Sequence, residues 1–297
     1  MDLVSIITVN YHQAALTADF LRSISRHANG EHLEVIVVDN GATADNESYY
    51  RDLFPSVIYL RSLENLGFAG GNNLGIRHAS GDYLLFLNND TEITSGFVKV
   101  LCEELENHPD IGLLSPLILY HEEKSKIQYA GYSPMNYFTG RNTGIGGMDD
   151  DVGQYDQVTT ETGYCHGAAM ICRRSDLEKV GLMAENFFLY YEELDWCEKF
   201  RRAGFRIGFT GKAKIYHKES MSVGKESRLK TYYMVRNRWL FIRRNTKWPV
   251  AAVFSSYYLL VSMPTLLLRY ALRRRFDLIG AAFRGLLWNL THTAKKH

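Results

Sequence analysis

Several short runs carry side chains that could do chemistry. Asn88-Asn89-Asp90-Thr91 follows the apolar stretch Tyr83–Leu87. A carboxylate placed there can hold a divalent cation against a diphosphate, because Mg2+ and Mn2+ take oxygen ligands. Such a cation neutralises charge on a departing nucleoside diphosphate. The same four residues also fit an Asx-type corner with no ligand at all. Asp39-Asn40-Gly41 follows Leu33–Val38. Asp39 can accept hydrogen bonds from a base or a ribose, while Asn40-Gly41 is equally a turn dipeptide. Asn10 closes a third apolar run, Leu3–Val9.

Four further runs complete the set. The segment Asn65 to Gly75, which includes Gly67 and Asn72, is a Gly-rich loop opening a helix. Backbone N–H groups and the helix dipole can face a phosphate there, although the pattern by itself is unspecific. Phe187–Gly204 reads FFLYYEELDWCEKFRRAG. The dipole alone favours carboxylates at a helix start; the chemical reading is a general base that takes a proton from an acceptor hydroxyl. Glu193 and Asp195 are two positions apart and cannot both face one site from a regular helix. Asp195 can pair with Lys199 one turn on. His217 closes Lys214–Tyr216 as a candidate ligand for a metal or diphosphate, and a histidine there serves equally well without metal. Arg236 and Arg238, in Arg-Asn-Arg-Trp, could bind phosphate or solvate a helix face.

The elements that must position these residues follow from periodicity. Strand-like runs at Leu3–Val9, Leu33–Val38, Val57–Leu60, Tyr83–Leu87 and Ile111–Leu114 alternate with helical stretches, so the fold is expected to be α/β with a mostly parallel sheet covered on both faces. Ligands in such sheets sit at the carboxyl ends of the strands, where Asn10, Asp39 and Asp90 fall. Residues 134–160 read as one long loop, Gly163–Arg173 as a buried strand, Leu194–Arg202 as a helix, and Phe205–Phe209 and Lys214–His217 as two strands.

The formal net charge of +1 conceals a split. Residues 1–224 carry 19 basic against 31 acidic side chains, and residues 225–297 carry 15 against 2. An acidic body is not that of a nucleic-acid binder. Its basic tail is a helix candidate over 228–247, then Trp248–Leu268 without a charge, then Arg269 and Arg273-Arg274-Arg275, and a weaker amphipathic stretch Leu278–Leu290 ending in Lys295-Lys296. Trp248–Leu268 is long enough to cross a bilayer, but Pro249, Pro264 and its Ser and Tyr residues favour helices lying in or dipping into an anionic inner leaflet. A buried hairpin or a dimer interface is the alternative. Cys102, Cys165, Cys172 and Cys197 fit no zinc or redox spacing and read as reduced thiols of a cytosolic protein. Asp2 followed at once by Leu3–Val9 is not the pattern of a signal peptide.

The order V-S-I-I-T-V-N-Y at 4–11, V-V-D-N-G at 37–41, N-L-G-F-A-G-G-N-N-L-G at 65–75, L-N-N-D at 87–90, Y-Y-E-E-L-D-W-C at 190–197 and R-N-R-W at 236–239 resembles the family 2 glycosyltransferases. Within them it resembles the rhamnosyltransferase-like branch of bacterial polysaccharide assembly. That resemblance implies a GT-A fold, to which the uncharged run and its flanking arginines add membrane-associating helices. Residues 1–115 would be the nucleotide-sugar half, 116–247 the acceptor half and 248–297 the membrane-associating part. It implies inverting transfer with Mg2+ or Mn2+, from a nucleoside-diphosphate sugar, best dTDP-rhamnose, to a glycan or polyprenyl-linked glycan at the cytoplasmic face of the inner membrane. Carried over, Asp39 matches the nucleoside contact, Asn88 and Asp90 the ends of the DxD metal motif, and Glu193 the position of the base, with Asp195 as substitute. Asn10, Asn65, Gly67 and Asn72 would complete the donor site, and His217 would be a further metal ligand. Asn88 is a neutral ligand where the motif has a carboxylate, and Glu193 is one methylene longer than the usual Asp. These departures admit a catalytically inactive scaffold of the same fold, and the motifs equally admit a UDP-sugar donor.

Overall fold

Buried apolar runs alternating with amphipathic helices fold, in the computed structural model, as parallel βαβ units. The structure describes residues 2–28, 30–218 and 226–294, so Lys295-Lys296 lies outside the described residues. Strands β1 (Val4–Asn10), β2 (Leu33–Asn40), β3 (Ile58–Ser62) and β4 (Tyr83–Leu87) lie in the order β3-β2-β1-β4. All of these neighbours pair in parallel. Helices α1 (Ala14–His27), α2 (Glu47–Leu53) and α3 (Gly67–His78) are the crossovers that parallel pairing requires. Every residue of β4 is buried, which is why it reads as an unbroken apolar run.

Beyond β4 the sheet becomes mixed. In chain order come β5 (Thr91–Ile93), α4 (Phe97–Asn107), β6 (Ile111–Tyr120), β7 (Ile127–Tyr129), β8 (Thr159–Glu161), β9 (Ala169–Arg173), α5 (Arg174–Val180), α6 (Glu192–Arg202) and β10 (Arg206–His217). Strand β9 inserts antiparallel between β4 and β6, and β10 runs parallel to β6. Short strands β5 and β8 pair antiparallel with β10, and β7 with β6.

The structure departs from the expected elements at three places. Phe205–Phe209 and Lys214–His217 are one strand, broken by a register shift between Thr210 and Lys214. Gly211 sits in that break, where an added Cβ would lie 2.0 Å from the Tyr155 carbonyl, so the chain is pressed against a crossing loop. Only Ala169–Arg173 of the expected strand 163–173 is extended; before it the chain turns, tied by Gly163 N–H to Tyr132 O (2.7 Å) and His166 N–H to Ser115 Oγ (3.0 Å). Residues 134–160 are not a featureless loop, because bridges pair Lys126 with Asp150, Tyr132 with Gly144 and Asn136 with Arg141.

The chain divides into two compact units. Of the described residues, the first holds those up to Ser133, Thr143–Phe188, and those from Glu192 to Lys218. The second holds Pro134–Asn142, Leu189–Tyr191 and everything from Glu226 on. Its helices are α7 (Arg228–Asn245), α8 (Trp248–Tyr257), α9 (Met263–Leu272) and α10 (Phe276–Thr291). Within this unit α10 packs along α7. At Gly285 an added Cβ would come within 2.6 Å of the Tyr232 carbonyl, and Asn289 Nδ2 donates to Arg236 O (2.9 Å). Helices α8 and α9 join through a π turn, Tyr258–Ser262, into one helix of 25 residues, Trp248–Leu272. Pro264 has no N–H to return to Leu260, and the wider turn just before it absorbs that loss. Among the described residues this is one helix long and apolar enough to cross a membrane.

Candidate active site

Three adjacent parallel strands end in amide and carboxylate side chains that bind one another. Asn10 pairs in register with Asp39. Asp39 is buried and accepts from Asn10 Nδ2 at Oδ1, and from Asn46 Nδ2 and Tyr59 Oη at Oδ2, each at 2.8 Å. Burial, together with the hydrogen bond and charge of Asp39, pushes the Tyr59 phenol up to about 12, so it remains a donor. Asn10 Oδ1 accepts from Gln13 N–H (3.0 Å) and Asn89 Nδ2 (3.2 Å). Asn89 Nδ2 also reaches Thr17 Oγ1 (3.0 Å). One hydrogen-bonded network thus links the carboxyl ends of β1, β2 and β4, where ligands enter sheets of this kind.

The Gly-rich loop is tied into the fold by its own side chains. Asn65 Oδ1 accepts from Gly67 N–H and Asn40 Nδ2, both at 3.0 Å, and Asn40 Oδ1 accepts from Leu66 N–H (2.8 Å). Phe68 N–H goes to Phe188 O (2.7 Å), and Asn72 Nδ2 to Phe68 O (3.0 Å). The N–H groups of Leu66, Gly67 and Phe68, at the start of α3, are therefore engaged inside the protein. Gly67 has φ +71°, and a Cβ there would lie 2.2 Å from the Phe188 carbonyl. Only glycine admits that contact.

Asp90 and His217 are brought together by the β5–β10 pair, in which Thr91 stands opposite His217 and Lys218 N–H donates to Asp90 O (3.0 Å). Both side chains are buried, and His217 Nε2 lies 3.2 Å from Asp90 Oδ1. That approach lacks hydrogen-bond geometry, so Oδ1 is a buried carboxylate oxygen that receives no hydrogen bond. His217 Nδ1 lies 2.7 Å from Gln128 Oε1. The amide oxygen can only accept, so Nδ1 carries the hydrogen and, in the neutral ring, Nε2 keeps its lone pair beside Asp90 but off the direct line to Oδ1. A ring fixed by one nitrogen with the other free is how protein histidines meet metals. The donor set therefore fits a divalent cation. Among the described residues no three His, Cys, Asp or Glu side chains cluster for a metal, so a cation here would draw further oxygens from its substrate. Asn88 forms the corner, its carbonyl accepting from Thr91 N–H (3.2 Å) and Thr91 Oγ1 (2.8 Å).

Residues that motif reading missed complete this centre. The His166 ring meets His217 edge-on at 5.9 Å and stacks parallel to Tyr132 at 6.4 Å. Burial, then His217, push its pKa down to about 3 against the opposing charge of Asp90. Its Nδ1 accepts from Ala168 N–H (3.1 Å), so its Nε2 carries the hydrogen. A histidine beside glycine inside an apolar run was the available signal. Gly167 lies under Glu193, whose Cγ would be 3.8 Å from a Cβ added there, and Phe68 closes from another side at 3.8 Å. Burial and the Glu193 carboxylate both raise the Tyr132 phenol, which places Glu193 at the same centre. Glu193 is half-buried, whereas Asp195 is fully buried. The Lys199 ammonium donates to Leu182 O (2.7 Å).

In the second unit, Asn237 Nδ2 donates to Leu189 O and Tyr190 O, both at 2.8 Å, which holds Tyr190 and Tyr191 at φ +68° and +75°. Arg236 is buried, with Tyr233 and Trp288 rings at 4.6 and 4.5 Å, so it is neither a solvated face nor an open phosphate ligand.

The family model described as glycosyl transferase family 2 matches residues 5–181. The chain is 27% identical to the low-salt glycan biosynthesis hexosyltransferase Agl10 of Haloferax volcanii, over 81% of this chain and 75% of that one. It is 23% identical to the N-acetylglucosaminyl-diphospho-decaprenol L-rhamnosyltransferase of Mycobacterium tuberculosis, over 92% and 95%. Its fold matches that of the mannosyltransferase PcManGT of Pyrobaculum calidifontis, solved with GDP-Man and Mn2+, with a TM-score of 0.60 at 16% identity over 97% of this chain and 88% of that one.

Proposed function

The chain belongs to glycosyl transferase family 2, and on that premise we propose that it moves rhamnose from dTDP-rhamnose to a glycan or lipid-linked glycan in cell-surface polysaccharide assembly. A relative whose name gives a diphospho-decaprenol acceptor and L-rhamnose supports that choice of donor and acceptor. Asp90 and His217 would hold Mg2+ or Mn2+, with Asn88 beside them. When bound, the cation neutralises charge on the departing diphosphate. Asp39, steadied by Asn10, Asn46 and Tyr59, takes the nucleoside. Residues 1–115 form the donor half.

Glu193 takes the proton of the acceptor hydroxyl as its oxygen attacks the anomeric carbon. The diphosphate leaves from the opposite face, so configuration inverts and no covalent enzyme intermediate forms. One observation carries this reading. Glu193 lies over Gly167, next in sequence to His166, whose ring meets the partner of Asp90. Asp195, with no exposed surface, is poorly suited to meet an acceptor. His166, a neutral donor at Nε2, orients groups at the centre and keeps water from the Asp90 side.

Trp248–Leu272 and α10 lie in the cytoplasmic leaflet of a bacterial inner membrane. Leu260 and Leu272 are each 77% exposed on the protein alone, and the flanking arginines suit anionic headgroups. The test is calorimetric titration of the full chain in Mn2+ with dTDP-rhamnose, a UDP-hexose, a UDP-N-acetylhexosamine and UDP-galactofuranose, followed by transfer to a lipid-linked acceptor. Binding and turnover of dTDP-rhamnose are expected. Preference for a UDP sugar would replace the donor, and failure to bind any donor would leave an inactive scaffold.

A further inference from the structure

The second unit contains a cavity of its own, about 570 Å3, bordered by α7, α9 and the turn at Gly140–Asn142. Arg141, Arg238 and Arg269 open onto it, and no described Asp or Glu lines it. Arg238 is half-buried in its lining. One guanidinium nitrogen donates to Ser262 Oγ (3.2 Å) and another to Thr139 O, while the plane lies 5.2 Å from the Tyr258 ring. Its Nε is covered by the turn at Gly140, where an added Cβ would lie 3.3 Å away. Three cations around one hollow repel each other unless an anion joins them. Arg141 and Arg269 are exposed at the rim.

The rest of the cavity is unlike an inorganic phosphate site. Val261, Leu266 and Tyr270 line it, and it opens on the same helix that exposes Leu260 and Leu268. The volume far exceeds one phosphate group. A cationic end joined to an apolar side is the complement of an amphiphile, with an anionic head and a hydrocarbon tail.

We propose that this cavity receives the phosphate or diphosphate of a membrane lipid. Arg141, Arg238 and Arg269 take the oxygens, and the chain runs along Val261 and Leu266 toward the outer face of Trp248–Leu272. The site rests on the membrane reading of that helix and not on the sugar chemistry. Two lipids present this chemistry, an isoprenyl diphosphate that carries the acceptor glycan and the bulk anionic phospholipid.

The full chain is to be floated with vesicles of phosphatidylcholine alone, with a small share of an isoprenyl diphosphate, and with phosphatidylglycerol at matched charge. Wild type should bind the anionic vesicles more tightly than phosphatidylcholine alone. Each pocket arginine removed should cost about fivefold, the effect of one basic side chain at an anionic surface. Arg238→Gln/Arg269→Gln should therefore lose roughly 25-fold. Arg269→Gln alone, at an exposed position that the fold does not need, should lose the single step. The pair Arg274→Gln/Arg284→Gln removes equal charge outside the cavity and should lose less than the pocket pair. Loss confined to isoprenyl diphosphate vesicles identifies the acceptor lipid; equal loss on phosphatidylglycerol identifies a bulk headgroup. Pocket variants that bind like wild type, or outside variants that lose as much, overturn the site. Donor titration reads the transferase assignment separately, so the two can fail independently.

Discussion

Nε2 of His217 and Oδ1 of Asp90 lie 3.2 Å apart without a hydrogen bond, both inside the protein. On the far side of the ring, Nδ1 is spent on Gln128 Oε1 (2.7 Å). Two electron-rich atoms at that separation repel, and a shared cation or proton turns the repulsion into attraction. The arrangement exists because β10 carries His217 alongside β5, immediately after Asp90.

Gln128 therefore sets which imidazole nitrogen faces Asp90. Gln128→Leu keeps the bulk and removes the acceptor, so the ring is free to change tautomer and tilt. Mn2+ affinity, read by calorimetry with nucleoside diphosphate present, should fall roughly 10–100-fold, the usual cost of losing such a partner. Asp90→Ala should abolish the Mn2+ dependence of diphosphate binding altogether. Unchanged Mn2+ affinity in both variants would move the metal site elsewhere.

The sheet end near β8 makes a prediction about acid. Glu104 on α4 is buried, which raises its pKa, but hydrogen bonds from Lys212 and Thr159 and the Lys212 charge outweigh burial and bring it below the ordinary value. A carboxyl depressed in the folded state binds fewer protons there than when unfolded. Its stabilisation is complete above the unfolded carboxyl pKa, about 4.3, and is lost as pH falls through the folded value. Glu104→Gln should be less stable than wild type in urea at neutral pH, with the difference shrinking below that point. A difference constant from pH 7 to acid would mean that the charge of Glu104 contributes nothing.

What was legible in the sequence was what one segment decides by itself. Buried parallel strands show as unbroken apolar runs, and their ends show as Asn10, Asp39 and Asn88-Asn89-Asp90. The Glu193–Asp195 contrast was also local, since one helix cannot turn both to one side. What escaped depends on distant segments. Nothing near Gly67 in the sequence shows that Phe188 O stands where its side chain would be. His166 sits in an apolar run that looks like strand, and its neighbours Tyr132 and His217 come from other elements. Short strands such as β5 and β8 have too few residues to show a period, yet β5 is the element that joins Asp90 to His217.

The C-terminal helices make a prediction about the membrane. Leu260 is 77% and Leu268 60% exposed, so neither supports the packing of the unit. Leu260→Glu/Leu268→Glu should leave the thermal melt of detergent-solubilised protein unchanged. Burying one leucine is worth about 1.5–3 kcal/mol, so the double variant should release the chain from vesicles by two orders of magnitude or more. Retention equal to wild type would instead place these leucines in a protein interface, and a dimer on a sizing column would show it.

The base makes the sharpest prediction, because Glu193 and Asp195 share a helix but not an environment. Glu193 is half-buried over Gly167 and near enough to Tyr132 for its charge to raise that phenol. An acceptor hydroxyl entering that side would meet its carboxylate. Asp195 is fully buried beside Trp196, whose indole is itself tied to Gly181 O (2.9 Å). Glu193→Gln keeps the shape and removes the proton-accepting charge. Donor binding should remain, and transfer should fall by about 10²–10⁴, the range of general base catalysis. Asp195→Asn should lower stability in urea while single-turnover transfer by the folded fraction stays near wild type. Were Asp195→Asn to bind donor normally and fail to transfer, with Glu193→Gln active, the roles of the two carboxylates would have to be exchanged.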